Sequence, residues 1–246
     1  MKSLITLILI VMTSTKAFAA EGPPFRLSVG FGEVLKYNIR YQNQYYRGKK
    51  DLNFTTIPFV NLHYGPIMIA SGGLTVSAWG DRDKSVYFNI NRQGDRYYGI
   101  GMDKRSDSWF FGFGFKYYNF NFITTKDING KSGGRKTALS YSEMKMLENK
   151  NILRGSVALE LYDQKYAEYY YGVKSTEVST NRSEYHPDRY VQLALSGLFI
   201  HNFNDNINGT VGLAFKSIPK AMKDSPTTTN ADLESMLITG ISWVFY

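Results

Sequence analysis

The three histidines are the first residues to test for chemistry, because a histidine can activate a serine nucleophile or bind a metal ion. His63, His186 and His201 lie far apart in the chain, and none has a serine or a second histidine beside it. A metal site needs several converging ligands, and the HxH, HxxxH and HExxH spacings are missing. Cysteine is absent, which excludes thiolate ligands and a cysteine nucleophile. We predict no metal site, no cofactor and no histidine-activated hydrolase.

Asp81 and Asp83 form a second candidate, because some proteases combine paired aspartates with an Asp-His couple. Both lie in the segment Asp-Arg-Asp-Lys at 81–84, whose composition is typical of a short charged connection. Solvated turn carboxylates explain such a pair without catalysis. The sequence therefore predicts a protein that is not an enzyme.

The run Tyr169, Tyr170 and Tyr171 could stack a sugar or fill an internal channel. An aromatic girdle, formed where a strand meets a loop at a membrane surface, explains the same run more simply. We therefore predict a girdle and keep the binding platform or lumen plug as the alternative. The choice depends on the elements around the run.

Strands with two unlike faces dominate the chain. The segment 109–118 alternates most clearly, since its odd-numbered residues are all aromatic while its even-numbered ones include Gly112, Gly114 and Lys116. An aromatic face of this kind would not remain uncovered in a soluble protein. The final segment, 233–246, has the same period and ends in aromatic residues. Such a strand is stable where lipid covers one face and both edges are paired.

Composition supports a membrane barrel. Aromatic residues make up 15% of the chain, although the mean hydropathy is −0.30. The segments after the leader contain no run of about eighteen apolar residues, so they cannot cross a bilayer as helices. An aromatic-rich chain that is polar on average and alternates in short segments is typical of an outer-membrane β-barrel.

Counting the alternating segments predicts an all-β fold, an antiparallel transmembrane β-barrel of about twelve strands. Ten strands remain an alternative, because 95–102 is a weak segment. An even number places both termini on the periplasmic side, with short turns there and longer loops outside. The predicted strands are 26–36, 54–64, 67–79, 85–91, 95–102, 109–118, 120–125, 136–147, 151–163, 190–203, 206–217 and 233–246.

The leader resembles a secretory signal peptide, since Lys2 precedes an apolar run and an Ala-Phe-Ala site that ends at Ala19. Cleavage there leaves 20–246, enough for a single barrel domain. Loss of Lys2 and Lys16 lowers the formal net charge from +8 to +6. The basic residues are scattered, without the aromatic-interleaved stripe of a nucleic-acid site. We expect outer-membrane lipid and lipopolysaccharide as partners, and no nucleic acid.

Three charged residues are candidates for the barrel interior. Lys116, Arg154 and Glu160 fall on the inward parity of their segments. They could form a charge network that selects solutes. A barrel of this size is largely filled by its own side chains, so structural charge pairs are the simpler interpretation.

Several motifs in the second half resemble the MipA/OmpV family of outer-membrane proteins. They are an EYYYGV motif from Glu168, a Ser-Thr-Glu motif, a YxP motif, an Asp-Ser-Pro tripeptide and a GIxWxF ending, similar to the family's GIxYxF. The residues that carry them are Tyr169, Tyr170, Tyr171, Gly172, Val173, Glu177, Tyr185, Pro187, Asp224, Ser225, Pro226, Gly240, Trp243 and Phe245. Upstream the resemblance is looser.

The resemblance implies an outer-membrane barrel of a Gram-negative bacterium without a catalytic motif. Some members resemble scaffolds that bring a lytic transglycosylase together with a peptidoglycan synthase, and others are tied to osmotic response or porin-like passage. We therefore expect a scaffold of the cell envelope, with a small-solute porin or channel as the alternative. Tyr246 extends beyond the family's terminal Phe. We therefore expect the barrel-assembly machinery to recognise the terminal strand through Phe245, with Gly240 and Trp243.

Overall fold

A closed antiparallel barrel accounts for most of the molecule, as predicted. The computed structural model describes residues 25–44, 52–70 and 72–246. Within them, each of twelve strands pairs with its neighbours in sequence, and β1 pairs with β12. The strands are β1 (Phe25–Tyr37), β2 (Leu52–Tyr64), β3 (Ile67–Ala70), β4 (Gly73–Gly80), β5 (Lys84–Gln93), β6 (Ser108–Tyr117), β7 (Phe120–Asp127), β8 (Arg135–Met146), β9 (Ile152–Tyr162), β10 (Tyr190–Asn202), β11 (Ile207–Ser217) and β12 (Leu233–Phe245).

The alternating faces follow from the strand period. In β6, Trp109, Phe113 and Phe115 point away from the lumen and are 40–53% exposed, while Phe110 points inward and is fully buried. Contact with lipid is favourable for the outward aromatic rings, whereas contact with water is not. The outward row continues across the sheet, because Phe115 stacks on Phe122 of β7 at 5.3 Å. The barrel therefore presents an apolar outer wall.

Two of the predicted strands are wrong, although the total of twelve is correct. The predicted strand 67–79 is two strands, β3 and β4, because the chain reverses at Gly72, whose φ of 97° few other residues tolerate. The weak segment 95–102 is not a strand. It joins Arg105 only by an isolated bridge from Tyr97, and Asp95 is held by basic side chains above the barrel. The two errors cancel in the count.

With one exception, the connections sort by length as an outer-membrane barrel requires. The short turns after β2, β4, β6, β8 and β10 lie at one end of the barrel, here called the short-turn end. The start of β1 and the end of β12 lie at the same end. The connections after β1, β5, β7, β9 and β11 lie at the opposite, long-loop end, and the exception is the short connection after β3, which points toward that end as well. In outer-membrane barrels the short turns are periplasmic. The predicted turns 64–66, 118–119, 148–150 and 203–205 all fall on the short-turn side.

The helices are short and belong to the connections. Helix α1 (Gln164–Tyr171) follows β9, and α2 (Lys220–Lys223) follows β11. Single 3-10 turns occur at Glu148–Lys150 and Ser175–Glu177. Within the described ranges, no helix has the length and apolar character needed to cross a membrane.

Candidate functional site

Helix α1 turns back over the barrel as soon as β9 ends. Asp163 caps it, because its side chain accepts a hydrogen bond from the backbone N–H of Tyr166 at 2.9 Å. The next buried positions, Ala167, Tyr170 and Tyr171, recur at helical spacing and face the barrel. The run of tyrosines is therefore the buried face of a helix.

The aromatic rings of α1 fill the lumen at the long-loop end. Tyr166 packs on Tyr162 at 4.6 Å and on Tyr170 at 4.5 Å, and Tyr162 stacks on Tyr190 at 4.8 Å. Phe110, on the lumen face of β6, lies 6.0 Å from Tyr166. Since β6, β9 and β10 contribute inward rings, the helix lies across the opening. We call α1, Phe110, Tyr162 and Tyr190 the tyrosine plug.

The predicted aromatic girdle is wrong, and the alternative of a lumen plug is correct. Tyr170 and Tyr171 are only 1% and 6% exposed, and Tyr169 is half-buried. Burial raises the pKa of Tyr170 and also that of Tyr171, where the nearby Arg40 opposes the shift. These phenols therefore stay neutral and pack as apolar rings.

Arg40 connects four segments of the long-loop end from a buried position. Its Nε donates to Asp95 at 2.9 Å, its Nη1 to the Thr227 hydroxyl at 2.9 Å and its Nη2 to the Tyr170 carbonyl at 2.5 Å. Its guanidinium also lies 4.0 Å from the ring of Tyr171. The plug is thus tied to the connections after β1, β5 and β11.

Asp95, which is partly buried, completes the charge group around Arg40. Burial by itself would raise the pKa of Asp95, but the positive charges of Lys36 and Arg40 outweigh that effect and hold the pKa below its usual range. Lys36 is also paired with Glu234 of β12 at 2.6 Å. The charges are satisfied by one another, as buried charges must be.

The motif residues of the second half come together around the end of α1. Val173 and Tyr185 exchange backbone hydrogen bonds of 2.9 and 3.0 Å, directly after Gly172. The Ser225 hydroxyl donates to the Tyr171 carbonyl at 2.6 Å and so satisfies the end of the helix. Distant motifs are therefore parts of one structure.

Glu177 is the buried acceptor of this structure. It accepts from Arg105 at 2.7 Å and from the backbone N–H groups of Asp103 and Lys174 at 2.9 and 3.1 Å. Burial opposes ionisation, but the hydrogen bond from Arg105 and those from the backbone hold the pKa of Glu177 below its usual value. The acid therefore anchors the loop after α1 as a carboxylate.

The remaining motif residues have lesser roles in the same region. Pro187 is buried, Pro226 is half-buried, and Asp224 is exposed at the C-terminal end of α2. The Tyr185 hydroxyl donates to the Ala221 carbonyl at 3.1 Å. The loops after β9 and β11 thus contact each other above the barrel.

The closing strand pairs with β1 as its sequence predicts. Trp243 and Phe245 face outward opposite Val29 and Leu27, and they are 41% and 52% exposed. Gly240 faces inward, where a β carbon would lie 2.0 Å from Cε2 of the Phe59 ring. Glycine is therefore required at that point of the wall.

The three predicted lumen charges do not form one network. Glu160 alone is in ion pairs, accepting from Lys136 at 2.7 Å and Lys216 at 2.8 Å below the plug. Lys116 donates to the Arg82 carbonyl at 2.7 Å, and Arg154 makes one long contact of 3.4 Å. Glu160 thus fits the interpretation of structural charge pairs, whereas Arg154 makes only one long hydrogen bond.

A cleft of about 260 Å³ lies on the outer face of the plug. Its lining combines tyrosine rings with basic and acidic side chains, and it includes several motif residues. The lining residues are Ser132, Lys165, Glu168, Tyr169, Gly172, Val173, Lys174, Tyr185 and His186.

The histidines are separated in space as well as in sequence. His63 faces the lumen on β2, His186 contacts Glu184 in the loop after β9, and His201 packs between Phe199 and Phe203 on the outer wall. In the part of the chain that the structure describes, no group of three or more His, Asp or Glu side chains is placed to hold a metal ion.

Sequence reasoning missed the basic residues that hold the plug. Arg40 and Arg105 lie in polar segments, and nothing in their sequence neighbours distinguishes them from other basic residues. The sequence does contain a signal for helix α1. Asp163 is a favoured capping residue, and it directly precedes a run that includes good helix formers.

These features define a class of protein: a closed outer-membrane barrel whose lumen is filled at one end. A sequence model of the family described as "MltA-interacting protein MipA" matches residues 38–245. The chain therefore belongs to the MipA family and is a protein of the outer membrane of a Gram-negative bacterium.

Solved structures include barrels that are similar at low identity. An outer membrane channel from Pseudomonas putida F1 is 10% identical, with 94% of this chain and 98% of that chain covered and a TM-score of 0.39. Ail, the attachment invasion locus protein of Yersinia pestis, is 12% identical, with 91% and 100% covered and a TM-score of 0.23. Neither likeness is strong enough to support a function. A comparison with curated protein sequences finds no significant match.

Proposed function

We propose that this outer-membrane barrel is a non-enzymatic scaffold of the cell envelope. The observation that carries the proposal is the tyrosine plug, whose rings are at most 7% exposed apart from Tyr169. A filled lumen favours a structural role over continuous passage of solutes. The buried ties from Arg40 and Glu177 favour a plug that stays in place.

The partners we propose are a lytic transglycosylase and a peptidoglycan synthase. The family description, MltA-interacting protein, supports the first of them. The short-turn rim is the proposed docking surface, since that end faces the periplasm in outer-membrane barrels. The outer wall, apolar along β6 and β12, is proposed to contact lipid and lipopolysaccharide.

A small-solute channel is the second candidate, and one observation favours it. The lumen below the plug is lined by exposed polar residues such as Arg154 and Ser196. Movement of α1 alone would then connect this half of the lumen to the outside. The channel requires the plug to be mobile, and the scaffold requires it to be fixed.

Planar-bilayer recording separates the two candidates. We expect the wild-type barrel to be silent, and a Tyr166→Ala/Tyr170→Ala variant, which removes two stacked rings, to show discrete conductance. The silent barrel should also co-purify with a lytic transglycosylase from crosslinked envelopes. Discrete, salt-dependent conductance of the wild type without co-purification would reject the scaffold.

The domain organisation remains a proposal. The signal peptide at 1–19 lies outside the described residues, and the single mature domain at 20–246 is described only in part. N-terminal sequencing of protein extracted from the outer membrane tests cleavage after Ala19.

A further inference from the structure

The lumen changes character below the tyrosine plug. On β9, the inward residues Tyr162 and Glu160 are 5% and 8% exposed, whereas Arg154 on the same face is exposed. Glu160 and Arg154 are six positions apart, roughly 20 Å along the strand. Beside β9 the lumen is thus a well that is closed above and open at the short-turn end, whereas the side near β12 is packed, since the inward Val244 is 2% exposed.

Arg154 projects into this well with most of its hydrogen-bonding capacity unused. Its Nη2 donates to the Ser142 hydroxyl at 3.4 Å, a long bond. A guanidinium carries five N–H donors. Among the described residues, no carboxylate lies within ion-pair distance of Arg154, in contrast to the paired Lys136 and Lys216 above it.

The Ser142 hydroxyl that this guanidinium contacts belongs to a row of three inward serines. Ser142 pairs with Ser156, and Ser156 pairs with Ser196, so the three occupy one row across β8, β9 and β10. The Ser156 and Ser196 hydroxyl oxygens are 2.7 Å apart. One of these two hydroxyls donates to the other, so the remaining one and the Ser142 hydroxyl are left to donate to an acceptor in the lumen.

The well carries no opposing negative charge in the described strands. The inward carboxylates are Asp127, Glu160 and Glu234, and all three lie near the long-loop end. Each is already held there, Asp127 by the Ser108 hydroxyl and the other two by lysines. Lys116 adds a second inward cation on β6. A cleft lined by one sign of charge concentrates ligands of the opposite sign.

We propose that the well is an oxyanion-binding site, in which Arg154 and the hydroxyls of Ser142, Ser156 and Ser196 hold a phosphate or carboxylate group. A guanidinium fork matches both groups, and the hydroxyls supply further donors. The ligand enters from the short-turn end, because the plug closes the other. The inference does not depend on the scaffold function.

A single introduced thiol tests the proposal, since the chain has no cysteine. In the folded Ser196→Cys protein in detergent, an anionic methanethiosulfonate reagent should react about tenfold faster than a cationic one when each rate is divided by that reagent's rate with a free thiol, because the guanidinium attracts the first and repels the second. Inorganic phosphate should slow the reaction, and acetate in a parallel arm distinguishes a phosphate site from a general oxyanion site.

Two further variants in the same background localise the effect. Arg154→Gln should abolish both the charge preference and the protection by phosphate. Lys116→Gln, which removes a lumen cation that is not beside the serines, should leave protection by phosphate in place. Heat-modifiable migration on gels verifies that each variant is a folded barrel.

Three results would overturn the inference. One is an equal rate for both reagents, after division by their rates with a free thiol, with Arg154 present, and another is an unreactive thiol at position 196, which would mean that the well is filled. The third is a charge preference without any protection by phosphate or acetate, which would mean that the field is positive but holds no ligand.

Discussion

Arg105 and Glu177 form a buried ion pair although 72 residues separate them in the chain. The Nη2 and Oε2 atoms are 2.7 Å apart, and both side chains are 3% exposed. The pair joins the connection after β5 to the connection after β9, which together cover the plug. The largest effect of this pair on stability is expected when only one partner is removed.

We predict that Arg105→Met destabilises the long-loop end by about 3 to 5 kcal/mol, because it leaves a buried carboxylate without its partner. Replacing Glu177 by Met in the same chain should recover part of this loss. The measurement is unfolding by urea in detergent, with limited proteolysis of the loop as a second readout. Lys174→Met, which breaks the exposed pair with Asp103, is the control and should cost less than about 1 kcal/mol.

The Asp95 group should make the plug sensitive to acid. The pKa of Asp95 is lowered in the folded protein, so its stabilising contribution is present above the unfolded pKa of about 4 and is lost as the pH falls through the folded value. We expect proteolysis of the long loops to accelerate below a pH of about 4. Asp95→Asn should weaken the plug at neutral pH and flatten this dependence. An unchanged acid profile in the variant would contradict the assignment.

Gly94 should be unable to accept a side chain. Its φ is 104°, and a β carbon would lie 2.0 Å from the Tyr170 hydroxyl oxygen. Gly94→Ala is therefore expected to lower the free energy of unfolding by about 1 to 3 kcal/mol beyond the backbone strain. Gly130→Ala is the matched control, since Gly130 also has positive φ but open space around it. Equal losses in both variants would show that Tyr170 is not tightly held.

The end of β12 gives a prediction about assembly. Phe245 faces lipid opposite Leu27, whereas Tyr246 lies beyond the strand, with Arg26 5.8 Å from its ring. Deleting Tyr246 should reduce the heat-modifiable, assembled fraction less than Phe245→Glu, which places a charge on the lipid face. The reverse order would mean that the assembly machinery recognises the final residue.

Glu33 is a carboxylate on the lipid-facing wall. It lies between the outward residues Phe31 and Leu35 of β1, and the Thr56 hydroxyl donates to it at 2.6 Å. Glu33→Leu should raise the free energy of unfolding by about 1 kcal/mol, because an outward acid is costly in the apolar band. Glu143→Leu, near the end of β8, should have a smaller effect. Destabilisation by Glu33→Leu would indicate a role for the acid within the membrane.

The barrel was predictable because its strands are local patterns. The aromatic alternation of β6 and the closing strand β12 follow from a period of two, and membrane barrels reward that period with lipid on one face. The split of β3 from β4 was not predictable by the same rule, since alternation continues on both sides of Gly72. The available signal was the Gly72-Gly73 pair, because adjacent glycines between alternating segments favour a tight turn.

The plug was not predictable because its contacts join distant segments. Arg40 meets Asp95, Thr227 and Tyr170, which come from three other parts of the chain. Periodicity reports on neighbours in sequence and contains no information about such contacts. The tyrosine run looked like a membrane-surface feature for this reason, since its aromatic composition suits a girdle and a packed core equally well.

The well below the plug has one opening, and this determines which solution its ligand occupancy depends on. A ligand enters and leaves such a well by the same route. There is therefore no net flux through the well, and its occupancy is set by a binding equilibrium. The occupancy of the Arg154 region should then follow the concentration of oxyanions on the short-turn side alone. Changing the medium on the long-loop side should leave that occupancy unchanged for as long as α1 stays seated.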